Sequence, residues 1–547
     1  MWRTMHTTTY GSQLKLEDNS SDKPFDLIIV GAGISGVDLA HHVHERLPEW
    51  EWMAVDSNTD VGGTWNTFTY PGIRSDSDMA TFAFPFKPWP HSGSLGSAAD
   101  IRNYVREVAQ DAGFLDRLLL STWVQEAEFH TESGLWSVRM QSGPAGEAMA
   151  EGGEDGVEKK ERVIWTKRIH FAAGYFRHSH GFTASIPGIE NFQGTVIHPQ
   201  RWPKDLDVRS KKVVVIGSGA TSITLLPALH NMGAEATMLQ RTPTYIAPLL
   251  ETDWISACSR AVLPDKYSDK VARAIHVRRD MAQYYLCQKY PTLAKGVFHY
   301  WARKYLPAEQ VKQHFKPPYN PWDQRVCKAP DGDIYQSIAN GAQVVTGNIE
   351  EVQERGIKLQ DGRFIEADVI VTATGLVLQG FGNAQVAVDG QHLPMPDMVS
   401  YRGMMLDSLP NFSYTIGYLN QSWTLRADMT SDYMVTLWKQ LGEDHYCPVL
   451  PDEVDGTKPL LDMDAGYIKR SVHLLPRQGD RDPWRLTQDF LYESKRIKPS
   501  DNKRDMVFGR DAIAAAQELK EQAAADAARS TDSAEPAGSE KTSPAAV

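Results

Sequence analysis

Two glycine-rich turns constrain most strongly what this chain can fold into. The first runs from Gly31 to Gly36 and the second from Gly217 to Ser222. Each follows a short apolar run, at residues 25–30 and 212–216, and opens an amphipathic one. A buried strand, a glycine turn and a helix form the unit that places a dinucleotide diphosphate at the helix N-terminus. The pattern predicts an α/β protein with two Rossmann-like dinucleotide-binding domains.

The residue that ends the second strand of each unit distinguishes the two nucleotides. The apolar run 52–55 ends at Asp56, whose carboxylate could accept hydrogen bonds from ribose hydroxyls. The corresponding run 236–240 ends at Arg241 and Thr242. An acid would repel a 2′-phosphate, whereas a guanidinium can pair with it. The second nucleotide is therefore predicted to be NADP rather than NAD, with a solvated surface role for Arg241 as the alternative.

A loop rich in glycine and aromatic residues follows the first unit and should lie over the ring end of its nucleotide, where a flavin would sit. Gly62 and Gly63 permit a close backbone approach, and Trp65 offers a flat apolar wall. Asp76 is an acid within a segment of aromatic, glycine and proline residues. It is either a functional carboxylate or a turn or helix-capping residue.

The composition excludes several function classes. The chain has 547 residues and a net charge of -12, which argues against nucleic acid as a partner. No polar-to-apolar pattern of a signal peptide and no apolar run of membrane-spanning length is present. The cysteines form no C-x-x-C pair, which fits a reducing compartment and predicts a cytoplasmic protein. They are Cys258, Cys287, Cys327 and Cys447.

Local patterns predict how the two units are connected. Strands at 162–171 and 364–372 lead into small-residue crossovers, Ala172-Ala173-Gly174 and Ala373-Thr374-Gly375. Residues 254–306 are helical and aromatic in pattern and read as an insertion that roofs a pocket. A helix should begin near Thr424, with Ser422 as its N-cap.

The stretch between the two units carries a fingerprint. It reads Phe192-x-Gly194-x-x-x-His198-x-x-x-Trp202-Pro203. This spacing resembles that of type I Baeyer–Villiger monooxygenases. Further runs extend the resemblance, to the ethionamide-activating subgroup, along nearly all of residues 25–495. They are Gly-Gly-Thr-Trp at 62–65, Tyr-Pro-Gly-Ile-Arg-Ser-Asp-Ser-Asp-Met at 70–79, Ile-Gly-Ser-Gly-Ala-Thr at 216–221, Leu-Gln-Arg-Thr-Pro-Thr-Tyr-Ile at 239–246, Tyr-Asn-Pro-Trp-Asp-Gln-Arg at 319–325 and Pro-Trp-Arg-Leu at 483–486.

The resemblance implies an activity and its cofactors. Such enzymes bind FAD and NADPH and insert one oxygen atom of O2 beside a ketone carbonyl, through a C4a-peroxyflavin, to give an ester or lactone. Many of them also oxidise thioethers to sulfoxides. A small-molecule ketone or thioether and O2 would be the partners, with the particular ketone and the oligomeric state left open.

The resemblance and the local composition together predict a domain organisation. The N-terminal arm, the 142–160 loop and the C-terminal tail lie outside the resemblance and are predicted from composition alone. A flexible N-terminal arm would occupy 1–22, and a discontinuous FAD-binding domain 23–175 and 376–505. An NADP-binding domain would occupy 176–375, with a helical insertion at about 250–318. An Ala-rich helix and a disordered tail would form 506–547, and a disordered hairpin tip 142–160.

Two residues match the catalytic positions of the family. Arg325 matches the arginine that holds the oxygenated flavin anion and the tetrahedral adduct, and Asp76 matches the acid that orients it. Gln324 departs from the better-known enzymes, which carry a lysine there that also contacts the 2′-phosphate. His198 and Trp202 resemble residues that couple the domains rather than catalytic ones. The cofactor-binding residues would be Gly31, Gly33, Ser35, Gly36, Asp56, Gly63, Thr64, Trp65, Asn66, Thr67, Arg74, Ser75, Asp76, Val124, Gly217, Ser218, Gly219, Ala220, Thr221, Ser222, Arg241 and Thr242.

Three other functions compete with this hypothesis. A flavin-containing N- or S-monooxygenase would act through the protonated hydroperoxide, but its fingerprint ends differently from Trp202-Pro203. A disulfide-reductase-like enzyme needs a paired dithiol beside the flavin, and the sequence shows none. A non-catalytic regulator would bind the nucleotides without catalysing a reaction.

Aromatic residues in the insertion either line an apolar substrate pocket or form helix core; they are Tyr284, Tyr285, Phe298 and Trp301.

Overall fold

The structure is a computed structural model that describes residues 10–11, 14–142, 160–497 and 503–532. Its first parallel sheet is built from continuous apolar runs that are buried on both faces, as parallel strands require. All neighbouring strands in it run parallel. In spatial order they are Phe412–Tyr414, Ile169–Phe171, Leu27–Val30, Trp52–Val55 and Leu118–Leu119.

A second five-stranded sheet has the same all-parallel arrangement. Its strands in order are Gln343–Thr346, Glu235–Gln240, Lys212–Ile216, Val369–Thr372 and Thr195–Ile197. In each sheet a glycine-rich turn connects a central strand to a helix, Ile34–Arg46 in the first and Ala220–Asn231 in the second. The predicted fold class, α/β with two Rossmann-like domains, is confirmed.

Smaller sheets surround these two. A five-stranded sheet joins Gln391–His392, Gln385–Val388, Thr122–His130, Leu135–Ser142 and Lys160–Thr166. A four-stranded sheet joins Met405–Leu406, Val399–Tyr401, Arg477–Gln478 and Lys458–Pro459, and a three-stranded one Ile349–Gln353, Gly356–Leu359 and Phe364–Glu366. Two further pairs are Ile246–Leu249 with Cys327–Pro330 and Tyr446–Pro448 with Met506–Phe508.

The remaining α-helices differ widely in length. They are Thr64–Thr67, Met79–Phe82, Ala98–Asp111, Trp254–Val262, Asp265–Lys289, Pro291–Arg303, Ala308–His314, Asp333–Ala339, Trp423–Leu441, Gly466–Ser471, Phe490–Arg496 and Arg510–Asp532. None of the helices in the described ranges combines the length and the apolar character that a bilayer crossing requires.

The two crossovers between the sheets run side by side and are hydrogen-bonded to each other. The Arg177 amide donates to the Val377 carbonyl over 2.9 Å, and the Phe182 amide donates to that of Gly375 over 3.1 Å. The Gln379 amide donates to the Tyr175 carbonyl over 3.0 Å. The chain therefore leaves the first unit and returns to it through one paired connection.

The helices of the insertion depart from, and return to, one place in the second unit. The strand Ile246–Leu249 precedes them, the strand Cys327–Pro330 follows them, and the two strands pair in parallel. Helix Asp265–Lys289 packs back onto the first unit, where the Arg273 guanidinium donates to the carbonyls of Ala80, Thr81 and Ala83. The insertion thus contacts both units.

Helix Ile34–Arg46 packs against helix Trp423–Leu441 with a buried acid between them. Asp38 is fully buried; one of its oxygens accepts from the Ser431 hydroxyl over 2.7 Å, and the other has no partner. Burial, and then the nearby Asp428 carboxylate, raise the pKa of Asp38 to about 7. On the same helix, burial lowers the pKa of His42, but its hydrogen bond to the Asp428 carboxylate and the nearby charges of Asp38, Asp428 and Asp432 together raise it.

Asp38 should make stability decrease as the pH rises from about 4 to about 7. In the unfolded chain the carboxyl ionises near 3.8, whereas in the folded chain it stays protonated until about 7, so its contribution is complete below 4 and lost above 7. We expect Asp38→Asn to raise the midpoint of thermal unfolding at pH 8 and to leave it unchanged at pH 4, both relative to wild type. The exposed Asp432→Asn, on the facing helix, is the control; equal pH profiles for wild type and Asp38→Asn would contradict the prediction.

Three expectations about local structure need correction. The strand expected at 162–171 is two strands in two sheets, broken at Lys167 and Arg168, and the strand expected at 364–372 is likewise broken at Ala367 and Asp368. Ser422 occupies the N-cap position of its helix, but its hydroxyl does not cap and instead bonds the Thr81 hydroxyl over 2.7 Å. Each break occurs because the strand halves pair with different partners.

Part of the expected flexible arm is packed. The Tyr10 hydroxyl donates to Asp60 over 2.9 Å, and the side chains of Leu14 and Leu16 pack against the core. The Ala-rich helix after residue 506 is present as Arg510–Asp532, and it buries Ala516 and Ala523 against the same core. The hairpin tip at 143–159 and the tail after 532 lie outside the described residues.

Candidate active site

A single cavity of about 1060 Å³ joins the two glycine-rich turns to Arg325. It lies between the two parallel sheets, where the carboxyl ends of their central strands meet. Most of the predicted site residues line it. They are Gly31, Gly33, Ser35, Asp56, Gly63, Thr64, Trp65, Arg74, Ser75, Asp76, Val124, Gly217, Ser218, Gly219, Ala220, Thr221, Arg241, Thr242 and Arg325.

Four predicted cofactor-binding residues do not line the cavity: Gly36, Asn66, Thr67 and Ser222. Gly36 lets the helix approach the strand, because a Cβ there would lie 1.8 Å from the Gly31 carbonyl oxygen. The Thr67 hydroxyl donates to the Gly63 carbonyl over 3.1 Å, and Ser222 is fully buried. Gly36 and Thr67 therefore support the backbone of the cavity wall without lining the cavity, and Ser222 lies within the core.

The first turn forms a cradle that would accept a diphosphate. Gly33 and Gly63 face each other so closely that a Cβ on Gly63 would lie 3.0 Å from the Cα of Gly33. Asp56 stands at the end of its strand and accepts from the amides of Ala32, over 2.6 Å, and Asn58, over 2.8 Å. The carboxylate is thereby oriented, with lone pairs left for ribose hydroxyls. These residues fit a dinucleotide.

Arg325 and Asp76 form a bidentate ion pair at the wall of the cavity. The Nε of Arg325 donates to Oδ2 of Asp76 over 2.5 Å, and Nη2 donates to Oδ1 over 2.7 Å. Nη1 donates to the Leu419 carbonyl over 3.1 Å. The two residues are 249 positions apart and belong to different units. The predicted pairing is therefore present.

The guanidinium of Arg325 keeps its charge and two of its donors. Burial lowers its pKa, but the Asp76 carboxylate more than compensates, and the net pKa is raised above that of free arginine. Of its five N–H groups, three are used by Asp76 and Leu419, so one on Nη1 and one on Nη2 remain. About a quarter of the side chain is exposed to the cavity. An oxygen anion could be held there by both free donors.

Capping in the Asp76 loop is done by a different acid. The Asp78 carboxylate, not that of Asp76, accepts from the Thr81 amide at the N-terminus of helix Met79–Phe82. The Ser75 hydroxyl donates to the Ser77 carbonyl over 2.9 Å and tightens the turn. The turn or capping alternative for Asp76 is therefore wrong.

A buried charge network beside this loop was not predicted from the sequence. Asp78 is 1% exposed and faces Arg279, at 3.2 Å, and Lys328, at 3.9 Å; both cations also pair with Asp280. His276 lies 3.4 Å from Asp78. Burial, followed by Asp280, raises the pKa of Asp78. The network attaches the insertion to the loop that carries Asp76.

Aromatic residues that no motif marked complete the wall near Arg325. The rings of Tyr175 and Trp423 stack with centroids 5.0 Å apart. The Trp423 indole donates to the Ser35 hydroxyl over 2.7 Å and so links helix Trp423–Leu441 to the first turn. Tyr467 also lines the cavity, and Arg325 lies close enough to influence its pKa, which burial raises.

Two arginines, Arg241 and Arg470, line the same part of the cavity. Arg241 is exposed at the cavity rim, and Arg470 lies over the Phe182 ring with 3.9 Å between guanidinium carbon and ring centroid. Burial, and then the neighbouring Arg241 charge, lower the pKa of Arg470. Neither forms an ion pair within the described part of the chain. Arg470 was missed because its helix, Gly466–Ser471, lies more than 200 residues from the second turn.

Of the four candidate aromatic residues of the insertion, Phe298 and Trp301 form helix core, whereas Tyr285 is 49% exposed. Phe298 is 4% exposed and packs with Tyr245 and Trp301. Tyr284 packs on Trp322, and the Tyr285 hydroxyl bonds Asp489. None of these four residues lines the main cavity.

The 192–203 fingerprint contacts the paired crossovers. The Gln200 amide group donates to the Arg177 carbonyl over 2.6 Å, and a Cβ on Gly181 would lie 2.0 Å from the His198 ring. Trp202 packs against the core of the second unit. His198 lines the cavity, and its Nδ1 accepts a hydrogen bond from the Gln200 backbone amide over 3.3 Å. These contacts connect the fingerprint to the junction of the two units.

Comparison with known proteins gives the family. A flavin-binding monooxygenase-like domain is recognised over residues 25–248. The FAD-containing monooxygenase EthA of Mycolicibacterium smegmatis is 38% identical over 480 residues, which are 87% of this chain and 94% of that protein. The chain belongs to the flavin-binding monooxygenases.

Other members of the family are similarly close. EthA of Mycobacterium tuberculosis H37Rv is 39% identical over 479 residues, 86% of this chain and 95% of that protein. The probable FAD-binding monooxygenase AlmA of Acinetobacter baylyi is 39% identical over 484 residues, 87% and 94% of the two chains. The predicted resemblance to the ethionamide-activating subgroup of flavin-binding monooxygenases is confirmed.

Solved structures share the fold of this flavin-binding monooxygenase. OTEMO in complex with FAD and NADP has a TM-score of 0.66 at 18% identity and covers 89% of this chain and 99% of its own. Closed cyclohexanone monooxygenase has a TM-score of 0.62 at 17% identity, with the same coverage. At this identity the likeness concerns the arrangement of the two sheets.

Proposed function

We propose that the protein is an FAD- and NADPH-dependent Baeyer–Villiger monooxygenase. It inserts one oxygen atom of O2 next to a ketone carbonyl, giving an ester or lactone, and also oxidises thioethers. The observation that carries the proposal is the Arg325–Asp76 ion pair, placed in the cavity that both glycine-rich turns line. The four free cysteines fit work in a reducing cytoplasm.

The cofactors would divide the cavity between them. The first turn, Asp56 and Gly63 would hold FAD, and the second turn with Arg241 and Thr242 would hold NADPH. Bound flavin supplies the reaction of O2 with electrons taken from the nicotinamide. The domain assignment follows: 23–175 with 376–505 for FAD, and 176–375, including the insertion at about 250–318, for NADP.

Arg325 would act by holding negative charge. In attack on a ketone, the carbonyl oxygen becomes an anion as the carbon turns tetrahedral, and donors placed beforehand at that position lower the barrier. The two N–H groups of Arg325 that Asp76 and Leu419 leave free point to this role. Asp76 holds the guanidinium in one orientation, so little reorganisation accompanies the reaction.

The function is tested by product analysis with labelled oxygen. Purified protein is incubated with NADPH, ¹⁸O2 and a panel of linear, cyclic and aryl ketones and one thioether. Label in an ester or lactone is the expected result. Label found only in a sulfoxide or N-oxide would favour a flavin-containing N- or S-monooxygenase and overturn the proposal.

Arg470 should share the recognition of the NADPH 2′-phosphate with Arg241. It would supply the second cation in place of the lysine that Gln324 replaces, since phosphate binds best between several donors. We expect Arg241→Ala and Arg470→Ala each to raise KM for NADPH about tenfold, the size of one charge-assisted bond, and to leave KM for NADH unchanged. Steady-state kinetics with both nucleotides measures this. If Arg470→Ala changed KM for NADPH and KM for NADH equally, Arg470 would not bind the 2′-phosphate. Lys204→Ala, which removes an exposed cation elsewhere, is the control.

A further inference from the structure

Most of the large apolar side chains that are exposed within the described ranges belong to the insertion. Eighteen large apolar or aromatic side chains are exposed within the described ranges, and twelve of them lie between Leu250 and Tyr300. That segment is less than a tenth of the chain, so the exposure is concentrated rather than scattered. A concentration of this kind marks a surface that another body covers.

These side chains form stripes on two consecutive helices. On helix Asp265–Lys289, exposed Tyr267, Val271 and Ile275 recur every four residues and so share one face. On helix Pro291–Arg303 the stripe is Leu293, Val297 and Tyr300, with Leu293 68% and Tyr300 60% exposed. Leu286 and Tyr290 lie at the junction of the two helices and are also exposed.

The same segment has the opposite charge to the rest of the chain. Residues 254–304 contain ten lysines and arginines and three aspartates, a net charge of +7 in a protein of net charge -12. Six of the cations are exposed and have no ion pair among the described residues. They are Lys266, Lys270, Arg278, Lys289, Arg303 and Lys304.

Lysines lie beside the exposed tyrosines of the stripes. The ammonium groups of Lys266, Lys289 and Lys304 lie 5.7, 5.5 and 5.0 Å from the ring centroids of Tyr267, Tyr290 and Tyr300, respectively. Tyrosine and lysine side by side suit a membrane interface, where the ring enters the headgroup region and the ammonium reaches the lipid phosphates.

We infer that this surface, helices Asp265–Lys289 and Pro291–Arg303, docks on an anionic lipid bilayer. Apolar stripes would enter the headgroup region, and the net charge of +7 would be attracted to acidic lipids. A second copy of the chain fits less well, because a two-fold interface would place the same basic patch against itself. The inner side of these helices packs, through Tyr284 and Trp322, near the loop that carries Arg325.

Flotation of the FAD-loaded full-length protein with lipid vesicles tests the inference. The vesicles contain phosphatidylcholine alone or an equal mixture with phosphatidylglycerol. We expect binding to the anionic vesicles to be at least about tenfold tighter, since each lysine near the surface contributes about fivefold, and to weaken with salt. Leu293→Ser with Val297→Ser and Tyr300→Ser should lower binding to both vesicles about tenfold or more.

A charge variant and a matched apolar variant separate the contributions. Lys289→Glu with Lys304→Glu should remove the preference for anionic vesicles, whereas Lys204→Glu with Lys439→Glu should not. Serine at Val163, Phe364 and Leu474, which are exposed elsewhere, should leave binding unchanged. Flavin content and sulfoxidation in solution report that each variant is folded.

Three outcomes would overturn the inference. Wild-type protein that does not float with anionic vesicles has no such surface. Equal binding by the stripe variant and its apolar control would show that the stripes do not contribute. A dimer, measured by light scattering, that the stripe variant alone dissociates would assign the surface to a second copy.

Discussion

Arg325→Ala is expected to abolish ester formation while NADPH still reduces the flavin. The guanidinium is the cation in the cavity whose free donors face the reacting region, and removing one such group costs on the order of 100- to 1,000-fold in rate. Hydride transfer needs neither donor, so anaerobic bleaching of the flavin absorbance should proceed at the wild-type rate. Ester yield and bleaching are measured on the same preparation.

Two further variants sharpen this test. Arg325→Lys keeps a charge but has only three N–H donors and no planar fork, so it cannot pair with Asp76 in the same geometry and still offer two free donors, and its ester formation should stay at least about tenfold below wild type. Arg363→Ala, which removes an exposed arginine paired with Asp361, should change nothing. Ester formation by Arg325→Ala at an undiminished rate would exclude the proposed role of the residue.

Glu493→Ala should destabilise the protein more than any surface substitution. Glu493 is the partner of Arg426, which is fully buried, and it also accepts a hydrogen bond from Tyr418 over 2.6 Å. Removing one member of a buried pair leaves the other charge uncompensated and costs about 3–5 kcal/mol. The midpoint of thermal unfolding, with FAD bound, should fall by several degrees.

Glu493→Ala is destabilising because it leaves the buried charge of Arg426 without a partner, so a double substitution that removes both charges should restore stability. Glu493→Leu combined with Arg426→Met removes both charges and should recover much of the loss, as replacement of buried pairs by apolar residues often does. Asp361→Ala breaks an exposed pair and should have almost no effect. A double variant no more stable than Glu493→Ala would indicate that the pair matters for its shape and not for its charge.

Local pattern predicted the parts of the fold that depend on local causes. Glycine at positions 31, 33 and 36, a buried apolar run before them and an acid at position 56 each follow from one turn, so the fold class could be read from the chain. Asp76 and Arg325 were found through the family resemblance, and their bidentate contact agrees with it.

Contacts across long separations could not be read from pattern. Arg470 contacts the Phe182 ring, and Asp78 contacts Arg279, only because the folded chain brings distant segments together. Ser422 had the right residue type for an N-cap, but the Thr81 hydroxyl, more than 300 positions away, takes its bond. The partners of these side chains come from distant parts of the chain, so a local stretch of sequence cannot predict them.

The side-by-side crossovers have a consequence for engineering. Since the chain enters and leaves the second unit at one hydrogen-bonded seam near Phe182 and Gly375, that unit is an exchangeable module with both junctions at one point in space. A chimaera that takes the intervening segment from a relative would have both chain junctions at this seam, and the incoming segment would need an arginine placed to pair with Asp76 and another placed to bind the carbonyls of Ala80, Thr81 and Ala83.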